Sequence, residues 1–339
     1  MTKYFLFFSL FFSGVNSLWA QEPHDPIKLI PSPILMLDNF YTHHVLVAEK
    51  STHLLYLFKN VGGIPELVKS VSIATGKKTG DKTSEGDFKT PEGIFHFTNF
   101  MNNKQLIEKS GSQGIIYGAG AFITDFPNPV DARKGKTGSG IWLHSTNDES
   151  RIDKGLDSKG CVVTANNDLI DLSKYIELYK TPLVIVQDMV YLNEKTHEAL
   201  KNAVKLSLDN WLRAWKNKDI ENYMTFYHPL DFMDPKGNYK KYKAYKKAVF
   251  AMPGKYNIEL GNIAILQTRD YAIVSFTQKY QSNIVNDTGR KILYLKQDSS
   301  YNWKIVNEVW SKNGLDGNDQ IAFEPTSRFF KEGAIKGNN

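Results

Sequence analysis

At 339 residues the chain exceeds one typical domain. Its composition, 41% hydrophobic and 23% charged, is that of a folded globular protein and excludes a disordered or fibrous one. A formal charge of +6 suits anionic partners but is too small to choose among nucleic acid, membrane and an acidic polymer. A single cysteine excludes an internal disulfide.

The first twenty residues read as a Sec-type signal peptide. Lys3 supplies the positive start, Tyr4 to Phe12 an apolar run, and Ser17 and Ala20 the small residues before a cleavage site. The run is too short for a membrane span, so an uncleaved anchor is the lesser alternative. No cysteine stands near the cleavage site, which rules out a lipid anchor there. The mature protein is expected in the periplasm, where nucleic acid is not a natural partner.

Residues 21–42 form a Pro-rich lead-in expected to pack on a neighbour. Residues 43–190 then read as one mainly β domain. Val45 to Ala48, Leu54 to Phe58 and Leu67 to Ile73 are strand-like, and dense glycine and proline follow from Gly76 to Gly93. Ile94 to Phe97 and Ile141 to His144 are further strands. Asn166 to Lys180 has helical spacing, broken at Thr181-Pro182, and Leu183 to Val186 is a closing strand. Short strands with glycine-rich turns and one helix predict a β sandwich or barrel.

The texture changes over residues 195–312. Leu200, Val204, Leu208, Trp211, Leu212 and Trp215 recur at helical spacing. Asp219 is placed to cap a short helix through Tyr227, and Tyr239 to Phe250 is a third helix with a lysine-rich face. Four strands follow: Tyr256 to Leu266, Tyr271 to Tyr280, Lys291 to Lys296 and Trp303 to Trp310. Helices followed by consecutive strands predict an α+β domain with an antiparallel meander. Residues 313–339 read as a flexible polar tail.

The lone thiol is the first candidate for chemistry. An exported protein normally pairs its cysteines or lacks them, because a free thiol is prone to oxidation. Cys161 follows Gly160, which permits a sharp turn. His144 closes a strand upstream and is the residue type that activates a thiol near neutral pH. Backbone amides around such a turn can face a developing oxyanion. The bland alternative is a buried structural cysteine with an unrelated histidine.

These residues carry a resemblance. Gly86-Asp87-Phe88-Lys89-Thr90-Pro91-Glu92-Gly93, then His144, then Ser158-Lys159-Gly160-Cys161 resembles the L,D-transpeptidase catalytic domain of YkuD type. Val45 to Phe58, Ser72 to Lys77 and Phe126-Pro127-Asn128 stand in the same order, and the likeness spans roughly residues 43–187. It implies a mainly β catalytic domain in which Cys161 attacks an amide carbonyl and His144 moves the proton. It further implies that the Ser145 carbonyl orients His144, and that Ser158, Lys159 and Gly160 shape the oxyanion and substrate site. Asp87, Thr90 and Pro91 are expected to shape the fold. Lys159 stands where the family usually has histidine, and Val163 where many members have Arg or Asn; both departures bear on the acceptor step.

Residues 195–312 are similar to the NTF2-like fold, which implies a curved sheet with a pocket for a ligand, a second copy or a protein partner. The combination resembles cell-shape L,D-carboxypeptidases. The implied substrate is the peptidoglycan stem peptide. The leading expectation is an L,D-carboxypeptidase that trims tetrapeptide to tripeptide through a Cys161 thioester. The alternatives are an L,D-transpeptidase and a non-catalytic wall-binding module. No cofactor is expected, and no metal, because the histidines are scattered and Cys161 has no second thiol. His43-His44 reads as a surface pair. The lysines at 236, 240, 241, 243, 246 and 247 read as a solvated helix face, with a wall polymer or anionic lipid as the alternative reading.

Overall fold

The computed structural model describes residues 29–315 and 323–330. The expected signal peptide lies outside the described residues. No helix among them is long and apolar enough to cross a membrane.

Nine strands build the first domain. In spatial order they are Val162–Thr164, Trp142–His144, Gly120–Thr124, Gly93–Asn102, Pro182–Val186, His44–Glu49, Leu54–Val61, Ile64–Gly76 and Leu156–Ser158. Val162–Thr164 also pairs back onto Ile64–Gly76, which closes the sheet into a barrel. Alternating apolar side chains fill it, with Leu46, Leu57, Phe95, Phe97, Leu143, Val162 and Leu183 all buried. The helix expected over 166–180 is real but short, Asn166–Ser173, and packs Leu169 and Leu172 into that core. Three elements had no clear mark in the pattern: helix Asn103–Ser110, the 3-10 turn Gly111–Tyr117 and strand Gly120–Thr124. Asn102 starts the first through a capping box with Gln105.

The second unit has helices Glu194–Lys216, Ile220–Thr225 and Tyr239–Ala251 lying on a curved antiparallel sheet. Asp219 caps the middle helix by accepting from the Asn222 amide at 3.0 Å. The sheet runs Trp303–Ser311, Asn286–Gln297, Ala272–Ser282, Tyr256–Gln267, and then Ile34–Met36 from the lead-in. Thus the lead-in joins the far domain's sheet as an edge strand, while Leu29–Pro31 pairs with Tyr191–Asn193.

The two units share an apolar seam. Ile34, Val45, Val47, Ile94 and Val184 pack there against Leu266, Ile273, Tyr294 and Val306. One polar knot sits within it. The Tyr271 hydroxyl accepts from the Ile94 amide at 2.7 Å and from Asn128 Nδ2 at 2.8 Å. A seam this apolar resists relative domain motion.

Two expectations need correction. His43 and His44 are buried, not a surface pair: their Nδ1 atoms meet at 2.6 Å and His43 Nε2 reaches Glu177 at 2.8 Å. The tail is not free over its described part. Phe323 stacks on His43 at 3.7 Å, and Phe329 packs on Phe100 and Phe122 with ring centroids 4.9 Å apart. Aromatic residues at 323, 329 and 330 give this polar-looking segment something to bury.

Candidate active site

His144 ends strand Trp142–His144, and strand Val162–Thr164 lies parallel beside it, with Val163 opposite His144. Side chains alternate along a strand, so residues 161 and 163 point to the side that His144 occupies. Cys161 sits one residue before its strand and stays half-buried at the mouth. The thiol donates to the Gly140 carbonyl at 3.3 Å. The Tyr117 ring meets the His144 imidazole edge-on at 4.9 Å, and burial raises its hydroxyl pKa.

The imidazole is held firmly. Nδ1 stands 2.5 Å from the Ser145 carbonyl oxygen, so it carries the proton and leaves Nε2 as the acceptor. Ser145 is buried, and its Oγ accepts from the Ala119 amide at 2.7 Å and donates to the Tyr117 carbonyl at 3.1 Å. Asn166 completes the frame. Its Oδ1 also accepts from Ala119, and its Nδ2 donates to Thr146 O and Glu149 Oε1. Sequence reasoning missed Asn166, because a helix-opening asparagine carries no distinctive signal.

Electrostatics keep both partners neutral. Burial pushes the His144 imidazole down to about 4, and the positive charge of Arg151 adds to that. Burial pushes the Cys161 thiol up to about 11, against the Trp142 backbone hydrogen bond and the charges of Arg151 and Lys82.

The turn before Cys161 is tightly drawn. Gly160 has φ +130°, and a Cβ there would come within 2.8 Å of the Lys89 carbonyl, so glycine is required. Ser158 Oγ donates to the Cys161 carbonyl at 2.6 Å and accepts from the Gly160 amide at 3.0 Å. That amide is therefore used inside the turn and does not stand free for an oxyanion, contrary to expectation. Lys159 is exposed. Asp87 ties its loop by accepting from Lys82 and from the amides of Thr83, Ser84 and Lys89, and Thr90 Oγ1 accepts from the Gly76 amide.

A profile of the L,D-transpeptidase catalytic domain family (YkuD) matches residues 43–186, and a Cds6 C-terminal NTF2-like domain profile matches residues 203–309. The chain is similar over most of its length to the structure of Bd1075 from Bdellovibrio bacteriovorus. Identity is 30%, 85% of this chain and 100% of that one are covered, and the TM-score is 0.73. The chain belongs to the L,D-transpeptidase family of YkuD type. The helical cell shape determining protein Pgp2 from Campylobacter jejuni is also similar, at 26% identity, with 82% of this chain and 95% of that one covered and a TM-score of 0.65. No curated protein matches the chain. The family makes this a peptidoglycan-modifying enzyme with a C-terminal NTF2-like domain.

The NTF2-like domain holds an open pocket of about 710 Å³. Lys246 lies buried within it, 4.6 Å from the Trp215 ring and 5.2 Å from that of Tyr223. This corrects the reading of the lysine-rich helix as wholly solvated. Position 246 falls on the apolar stripe Tyr239, Tyr242, Phe250, which was the available signal. Lys291 pairs with Glu308 at 2.7 Å, and Tyr227 donates to the same carboxylate. Burial opposes ionisation of Glu308, but Lys291 and Lys246 outweigh it and hold the carboxyl at about 2. Burial and the neighbouring Lys291 push Lys246 down to about 7.

Proposed function

We propose that the protein is an exported, periplasmic L,D-carboxypeptidase acting on the peptidoglycan stem tetrapeptide. The observation that carries this reading is a half-buried thiol and a tautomer-fixed, neutral imidazole on one side of the barrel. Rotation of the thiol away from Gly140 brings sulfur to the substrate carbonyl on the L-centre of the third, diamino-acid residue. His144 Nε2 takes the thiol proton as the S–C bond forms. The Cys161 amide faces the oxyanion. The C–N bond then breaks, the imidazolium returns its proton to the departing amine, and D-alanine leaves a thioester. Water, deprotonated by His144, attacks the thioester. Tripeptide and free thiol are the products.

Transfer of the same acyl group to an amine of another stem peptide, or of a protein, is the alternative fate. The likeness, over 82% of this chain, to the helical cell shape determining protein of C. jejuni supports a role in cell shape. The cavity near Lys246 and Lys236 supports binding of an acidic wall polymer by that domain.

The test is purified protein incubated with disaccharide tetrapeptide and read by mass spectrometry. Loss of one alanine, abolished in Cys161→Ala and His144→Ala, is the expected result. Dimeric products would shift the reading to transpeptidation, and unchanged substrate would overturn both enzyme readings.

A further inference from the structure

One segment of chain covers the outer side of strand Trp142–His144. Leu143 points into the barrel core, so Trp142 and His144 point the other way. Helix Asn103–Ser110 and the 3-10 turn Gly111–Tyr117 lie over that side, seated by buried Leu106 beside Met101 and Ala121. Ala121 is the residue paired with His144 on the adjoining strand, and its small side chain leaves space beside the imidazole. The Tyr117 ring packs there. Its centroid stands 4.9 Å from that of His144, with the ring planes at 80°, and 4.9 Å from that of Trp142.

The backbone sets that ring firmly. Ser145 Oγ donates to the Tyr117 carbonyl at 3.1 Å, and Asn103 Nδ2 donates to the Gly118 carbonyl at 2.7 Å, which ties the two ends of the segment together. Gly118 has φ +55°, and a Cβ there would come within 2.7 Å of Ser145 Oγ and 2.6 Å of the Thr146 nitrogen, so the segment presses on the backbone that follows His144. Ser145 thus serves the imidazole twice. Its carbonyl accepts from Nδ1, and its hydroxyl holds the residue whose ring stands against the imidazole. His144 is left only 3% exposed, although Cys161 at the next strand is half-buried.

We propose that Tyr117 is a positioning residue, whose ring excludes water from the His144 imidazole and fixes its plane. An imidazolium under such a cover loses hydration, which favours the neutral base. Burial is the first cause of the lowered His144 value of about 4. Ala121 and Val163 flank the imidazole without charge. The titratable and charged groups on its other sides are the Tyr117 hydroxyl, the Cys161 thiol and Arg151, whose charge lowers the value further. The base role of His144 rests on the hydrolase reading above, whereas the shielding is a property of the ring pair and is read without turnover.

The experiment titrates His144 by NMR in the full chain made with isotope-labelled histidine, its signal among the eight histidines assigned with His144→Ala. Wild type is expected to titrate near 4. Tyr117→Ala should raise the midpoint by about one to two pH units, towards the ordinary 6.5. Tyr117→Phe, which keeps the ring, should leave the midpoint in place, as should Ile115→Ala at an exposed position of the same turn. The acid limb of kcat/KM on disaccharide tetrapeptide should follow the imidazole, so Tyr117→Ala at pH 5 loses about two- to tenfold against its own rate at pH 8, while wild type loses little. A wild-type midpoint at 6.5, an unmoved midpoint in Tyr117→Ala, or an equal shift in Ile115→Ala overturns the inference. If Tyr117→Ala does not fold, Tyr117→Leu, whose side chain is shorter than the ring, is read in the same way. The expected shift without any turnover of tetrapeptide overturns the hydrolase reading and upholds the shield.

Discussion

His144 ends one strand and Cys161 immediately precedes the parallel strand beside it, two residues before the position opposite His144, with Tyr117 against the imidazole. The pair rests as neutral imidazole and neutral thiol, so in the proposed reaction the proton moves during attack rather than before it. Alkylation of Cys161 by iodoacetamide should be slow at pH 7 and rise about tenfold per pH unit towards its value of about 11. Turnover should fall as pH drops through about 4, where His144 takes a proton and ceases to act as a base. A plateau of thiol reactivity below pH 7 would mean a preformed ion pair and would refute this account.

Asn166 holds His144 in place from a distance. It bonds Ala119, which Ser145 Oγ also binds, and Thr146, so it fixes both flanks of the carbonyl that orients the imidazole. Asn166→Ala should lower kcat by roughly tenfold, a cost of about 1–1.5 kcal/mol, with KM little changed. Asn166→Asp, which keeps the acceptor for Ala119, should recover part of the loss. Steady-state kinetics with tetrapeptide check both, and a KM effect with unchanged kcat would contradict the positioning role.

The family was legible because its motifs are local. Gly86 to Gly93, His144 and Ser158 to Cys161 lie in short runs whose order alone marks the family. Lys246 was misread because a charged residue on an apolar stripe looks like a solvated one until the sheet and Trp215 close over it. The buried His43-His44 pair depended on partners distant in number, Glu177 and Phe323, which no local pattern reveals. Ile34–Met36 read as a lead-in because its pairing with Ile265 and Leu266 crosses more than two hundred positions.

The C-terminal segment should stabilise the catalytic barrel. Phe329 and Phe330 cover Phe100, and Arg328 donates to the Lys174 carbonyl at 3.1 Å. Both rings are partly buried, so Phe329→Ala with Phe330→Ala should cost about 2–3 kcal/mol in total. Urea denaturation of the full chain measures it. A change below about 0.5 kcal/mol would show that the aromatic contact contributes nothing in solution.

The two buried lysines of the NTF2-like cavity should respond oppositely to removal of charge. Lys291 directly balances Glu308 at 2.7 Å, so Lys291→Met leaves a buried carboxylate short of its partner and should cost about 3 kcal/mol. Lys246 has aromatic rings around it and a folded-state value of about 7 against an ordinary 10.5. Between those values the unfolded chain binds the extra proton, so wild-type stability should rise as pH rises from about 7 to about 10. Lys246→Met removes the desolvated charge. It should raise stability at pH 6 by roughly 1–3 kcal/mol and flatten the curve across that alkaline window. Denaturant midpoints of both variants at pH 6, 8 and 10 decide the matter. Destabilisation by Lys246→Met at pH 6 would mean that the ammonium is held favourably by the rings and by Glu308, and would refute the assignment of Lys246 as a strained charge.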